Sequence, residues 1–333
     1  MLNHIRRLPS TFTTRIPHDK DGYIGRQCPN GDCEIKYFKI TPGTGIPERV
    51  PCHCPYCGHV AEHREFFTKA QIEYARSVVR HTVHEALLKD LREAFPPRQR
   101  FGGGLLSLEI THEVKGHPVP VYRYREKDLE TEIVCDSCSL RYAIYGLFGW
   151  CPDCGTHNSL QILGTNLTVA EKKLTLAGSV DPELAEHIVA DALQTAVSAF
   201  DAFGRETCRA FADHATSPDA ARSLSFQSIG GARLKVQGLF GFDLAACTAE
   251  GEWESVCKMF QKRHLFAHRG GVVDEAYLSA THDPAASLGR KVPLSADEVV
   301  AAVARLRCLG RALVEGITGQ AAMADQSGPN GEM

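Results

Sequence analysis

Residues 135–155 read CDSCSLRYAIYGLFGWCPDCG, with Cys135 and Cys138 at one end and Cys151 and Cys154 at the other. Two residues between the cysteines of a pair let both thiolates reach one ion from a single turn, and Gly155 relieves the backbone where its amides swing toward sulfur. The intervening SLRYAIYGLFGW is strand-like, so a hairpin brings the two turns together and four thiolates complete a tetrahedral shell. The stretch therefore predicts a small β unit held by a metal ion.

A looser version of the pattern lies upstream. CPNGDC, with Cys28 and Cys33, leads through EIKYFKI and a Gly/Pro turn to CHCPYCGH, with Cys52, Cys54 and Cys57. Cys28, Cys33, Cys54 and Cys57 are the expected ligands; His53 and His59 compete with them, and Cys52 is expected to be spare. Both groups resemble zinc ribbons. The resemblance implies two structural Zn2+ ions, one on Cys28, Cys33, Cys54 and Cys57 and one on Cys135, Cys138, Cys151 and Cys154. Free thiols in a reducing cell would leave the paired spacing and both C-P-x-C-G turns without a reason. A catalytic zinc would keep an open position and mix in histidine or carboxylate. The remaining cysteines, Cys208, Cys247, Cys257 and Cys308, are scattered through helical pattern and read as buried apolar residues.

The 333 residues are 43% hydrophobic and 23% charged, which fits an ordinary multidomain protein and excludes a fibre or a fully disordered chain. A formal net charge of -3 argues against a protein that coats nucleic acid electrostatically. No apolar run approaches the ~18 residues of a membrane span, and the N-terminus lacks a secretory apolar core, so a cytoplasmic location is expected. Arg6, Arg7 and Arg15 mimic a transit peptide without its amphipathic period, and residues 1–22 read as a flexible start.

The expected fold class is multidomain α+β. Residues 23–60 form the first ribbon and residues 61–100 a long helix, with Val79, Val83, Leu87, Leu91 and Phe95 along one face and Pro96-Pro97 as the stop. Residues 101–163 hold a small β hairpin, LLSLEITHEV against VPVYRYREK, and then the second ribbon. In that hairpin Tyr122 and Tyr124 alternate with Arg123, Arg125 and Lys127, which reads as one packed and one solvated strand face before it reads as a nucleic-acid surface. From about residue 160 helical periods take over. Asp181-Pro182 starts a helix reaching about His214, with Leu193, Val197, Phe200 and Phe203 for a core. A later helix ends in RHLFAH and is closed by Gly270-Gly271. A last one opens on a Ser295/Glu298 capping box and runs to about Ile317, leaving 319–333 as a disordered tail.

In RHLFAH, His264 and His268 lie one turn apart on one helix face, with Arg263 on its edge. A peptidase-type zinc site is disfavoured, because the glutamate of H-E-x-x-H and a third ligand are both missing. The bland alternative is a pair of histidines interacting with the helix C-terminal dipole. The string resembles the R-x(4-6)-H motif of the HEPN superfamily, over roughly residues 180–318 of an all-α bundle. The position after the arginine, commonly polar in that superfamily, is His264.

The resemblance implies a homodimeric, metal-independent endoribonuclease, toxin-like or anti-phage, with RNA as substrate and the ribbons as a targeting module toward nucleic acid or a protein partner. His268 would be the acid/base group, Arg263 would hold the phosphate and His264 would assist, with Asp201, Arg205 and Glu206 completing the cleft. Members that bind without cutting supply the alternative, a non-catalytic nucleic-acid- or protein-binding module.

Overall fold

The computed structural model describes residues 3–48, 50–101, 108–117, 119–122 and 125–326. The chain divides between Thr156 and His157 into two compact units.

The first unit is built on strands β1 (Ile24–Gln27), β2 (Tyr37–Ile40), β7 (Thr131–Val134) and β8 (Arg141–Ile144), hydrogen-bonded in the antiparallel order β1-β2-β8-β7. Two short ladders complete it, β3 (Cys52–His53) with β4 (Val60–Ala61) and β5 (Arg98–Phe101) with β6 (Leu108–Thr111). The two cysteine groups were expected as successive modules, yet β2 of the first pairs with β8 of the second, Lys39 opposite Ala143 and Ile40 opposite Tyr142. A lone two-stranded hairpin is marginal, and joining two of them makes a four-stranded sheet while removing two open edges. Phe38, Ile40, Phe66, Leu140, Tyr142 and Ile144 fill the resulting core beside the buried cysteines.

The join is close to two-fold symmetric. Equivalent strands meet at the centre of the sheet, and the residue before each C-P-x-C turn donates to the proline carbonyl of the other: His53 N to Pro152 O at 2.8 Å and Trp150 N to Pro55 O at 2.9 Å.

The long helix between the groups is α2 (Lys69–Ala94), begun by a capping box in which Thr68 and Gln71 exchange backbone and side-chain hydrogen bonds, both at 3.1 Å. The expected apolar stripe is not its buried face: Val83, Leu87 and Phe95 stay 37%, 37% and 49% exposed. Its buried positions are Ala86 and Leu88 together with Gln71, Ser77 and Asp90, and the three polar ones make specific contacts. Gln71 Nε2 donates to Gly25 O at 2.9 Å, Ser77 Oγ accepts from Tyr122 N at 3.0 Å, and Asp90 accepts from His4 N at 2.8 Å and Ile5 N at 3.0 Å.

That last contact pins the short helix α1 (Asn3–Arg6), and Asp19 accepts from Tyr23 N and Lys39 Nζ, so the described part of the expected flexible start is docked at both ends. The hairpin partner of β6 is β5, from before the FGGG run, in place of VPVYRYREK; Arg123 and Tyr124 lie outside the described residues.

Among the described residues, the second unit is helical apart from one isolated bridge, Val272 with Lys291. Its helices are α3 (Ser159–Ala177), α4 (Pro182–Ala210), α5 (Pro218–Arg222), α6 (Ile229–Phe240), α7 (Glu252–Arg269), α8 (Glu275–Thr281) and α9 (Ala296–Gln326). Asp181 caps α4 by accepting from Leu184 N at 3.1 Å, and the Ser295/Glu298 box opens α9. Helices α3, α4 and α9 pack on one another around Leu163, Leu167, Ala196, Phe200, Phe203, Val303 and Leu309. Gly204 is needed here, since a Cβ would stand 2.5 Å from the Phe226 ring. Helix α9 passes the expected stop at Ile317 and takes in part of the segment read as a tail.

Candidate metal centres and candidate active site

Each cysteine group closes into one cluster, Cys28, Cys33, Cys54 and Cys57 in one and Cys135, Cys138, Cys151 and Cys154 in the other, with all four sulfurs within 4.8 Å of one another. The closest contacts run between the two pairs: Cys28 to Cys57 at 3.7 Å, Cys33 to Cys54 at 3.8 Å, Cys135 to Cys154 at 3.7 Å and Cys138 to Cys151 at 3.5 Å. Four sulfurs at ~2.3 Å from a tetrahedral ion would lie about 3.8 Å apart. Either cluster could therefore hold a metal ion with little rearrangement.

The turns that carry the ligands match. Cys54 N donates to His59 O and Gly58 N to Cys54 O, while Cys151 N donates to Thr156 O and Gly155 N to Cys151 O. Gly58 and Gly155 sit at φ 68° and 67°, the left-handed region that an L side chain resists. These turns aim amides at sulfur. Burial pushes the thiols of Cys54 and Cys151 up, and those of Cys28 and Cys138 to about 11. At Cys57 and Cys154 burial acts the same way, but donors from His59, from Thr156 and from neighbouring thiols outweigh it and hold the thiol below its ordinary range. A bound dication would favour the thiolate at all four positions of a cluster.

The competing groups stay out of both clusters. Cys52 is fully buried in β3, its sulfur 3.9 Å from His53 O, and burial pushes its thiol up to about 12. The His59 ring lies against Phe66, and His53 Nδ1 approaches Pro152 O at 3.4 Å.

In the helical unit, α7 presents the second set of chemical groups. Lys262 faces inward, 1% exposed, with Nζ donating to Pro293 O at 2.6 Å and Glu298 Oε1 at 2.7 Å; Leu265 is also buried. That orientation turns His264 and His268 to solvent with ring centroids 4.8 Å apart. Arg263 is half-buried and donates through Nη2 to Ser198 Oγ of α4 at 3.3 Å, while its buried Nε has no hydrogen-bond partner among the described residues. Gly270, at φ 59°, ends the helix, and Arg269 pairs with Asp274 at 3.0 Å.

The residues expected to complete a cleft are otherwise engaged or apart. Asp201 accepts from Phe226 N at 2.8 Å, Glu206 pairs with Arg209 on its own helix, and Arg205 is exposed. Ser198 was not anticipated; its only signal is a hydroxyl among the apolar residues of VSAF.

No known family, curated protein or solved structure matches this chain. The likeness to the HEPN superfamily thus rests on residues 263–268 and an all-helical setting. Among the described residues, no helix is long and apolar enough to cross a membrane.

Proposed function

We propose that the helical unit is a metal-independent endoribonuclease of HEPN type and that the first unit is a zinc-held ribbon module that targets it to RNA or to a protein partner. The observation that carries this reading is the end of α7: two exposed imidazoles, with the half-buried guanidinium of Arg263 next to the first of them in the chain. Imidazole gives and takes protons near neutrality, and guanidinium offers paired donors to phosphate oxygens. In the reaction the ribose 2′-oxygen bonds to the adjacent phosphorus as the bond to the 5′-oxygen breaks. One proton leaves the 2′-hydroxyl and one reaches the departing oxygen. His268 serves the proton transfers with His264 assisting, and Arg263 offsets charge on the phosphoryl oxygens. A homodimer doubles the set.

The test is cleavage of labelled single-stranded RNA in the presence of EDTA. Arg263→Ala and His268→Ala should each lose about 10²-fold or more in rate with fold and metal content unchanged. Cutting that persists in both variants, or that needs added divalent metal, overturns the assignment. The Arg263 to Ser198 contact favours a second reading, in which the motif ties α7 to α4 in a non-catalytic binding module. In that case the same variants lose thermal stability or dimerisation, and the wild-type protein leaves RNA intact.

A further inference from the structure

The sequence speaks against a peptidase-type zinc at HLFAH, but the exposed geometry of the pair suits a different kind of site. We propose that His264 and His268 form an exchangeable binding site for a borderline divalent transition metal such as Ni2+, and that its occupancy switches the α7 face off. Four residues of helix separate the two Cα atoms by about 6 Å along the axis, and two nitrogens on one ion at ~2.0–2.1 Å each must lie roughly 3–3.4 Å apart. The ring centroids already stand 4.8 Å apart, and both side chains are exposed and free to turn about their χ angles.

The surroundings favour a cation. The pair occupies the last two turns of α7, next to the negative end of the helix dipole. The flanking guanidinium groups are drawn elsewhere, Arg263 toward Ser198 and Arg269 to Asp274. Two nitrogen ligands with the remaining positions left to water select Ni2+, Cu2+ or Zn2+ over Mg2+ and Ca2+, and they hold the ion far more loosely than a closed four-thiolate shell. The result is an ion that comes and goes, unlike those of the cysteine clusters.

The site does not depend on the nuclease reading, but its consequence rests on it. An imidazole whose lone pair is committed to a metal cannot accept a proton, so the ion inhibits a reaction that a metal-dependent nuclease would need it for. The experiment is calorimetric titration of Ni2+ into full-length protein with its cysteine sites loaded, alongside RNA cleavage over the same concentrations. Wild type should bind Ni2+ at this site, and His264→Ala and His268→Ala should each weaken that binding at least about tenfold. Arg263→Ala, inactive under the nuclease reading, should bind at least as well as wild type. Ni2+ binding that is unchanged in both histidine variants overturns the site. Loss of binding in those variants without any cleavage to inhibit keeps the site and removes only the nuclease reading.

Discussion

His157 opens the helical unit nine-tenths buried, its ring edge-on to Phe211 at 6.2 Å, and burial pushes its pKa down to about 4 despite Glu206, with Arg209 adding to the fall. The folded protein therefore resists a proton that the unfolded chain accepts near pH 6.5. The stability this residue contributes is complete above pH 6.5 and is lost as pH falls toward 4, with a ceiling of about 3 kcal/mol. Urea unfolding of wild type and His157→Gln at pH 7 and pH 4.5 should show the wild type losing more on acidification; parallel losses would remove His157 from the account. At the cysteines the residue scale was largely legible in sequence, because the ligand spacing of a C-x-x-C turn is local. Metal analysis should accordingly find two zinc ions per chain in wild type and in Cys52→Ala, and fewer in Cys54→Ala, since Cys52 lies outside the cluster. Ser198 was not legible: its contact with Arg263 joins residues 65 apart in the chain.

Among the elements, α2 shows why a hydrophobic stripe alone is a poor guide to a buried face, and α7 how a charged residue can join an apolar one. In α2 the inward positions are Ala86 and Leu88 together with Gln71, Ser77 and Asp90, each of the three polar ones with a named partner, while Val83 and Leu87 of the apolar stripe stay partly in solvent. In α7 Val256, Met259, Phe260 and Leu265 turn inward, and Lys262 lies buried among them with its ammonium paired to Glu298. Glu298 is held ionised there: burial opposes this, but Lys262 and the Ser295 amide prevail. Lys262→Ala should leave Glu298 and Pro293 O without their partner and lower stability by about 2 kcal/mol, less than a fully enclosed pair because Glu298 reaches solvent. Lys262→Met should cost less, since it keeps the packing. Thermal melts of the two variants check the order, and equal melting would show that the ion pair does not set the seat of α7. Caps at Asp181 and Ser295, by contrast, were readable, because a cap is a property of four adjacent residues.

For the molecule as a whole, the fusion of the two cysteine groups could not be read from the chain. Nothing local in YFKI or RYAI announces that residues 39 and 143 stand side by side. The fusion has a thermodynamic consequence. Each cluster fixes the ends of a hairpin whose inner strand is the neighbour of the other, and the reciprocal hydrogen bonds of His53 and Trp150 link the ligand turns directly. An ion leaving one cluster frees its knuckles, and the freed strand then withdraws pairing from the other, so metal binding and folding are coupled across the pair. Cys151→Ala should therefore weaken zinc at the first cluster as well as abolish it at the second, giving fewer than one tightly held ion per chain under a chelator that leaves wild type loaded. Far-UV circular dichroism should retain most of its helical signal, because α3 to α9 belong to the other compact unit. A variant that keeps one ion as tightly as wild type would mean that the shared sheet transmits nothing, and that the two ribbons are adjacent without being coupled.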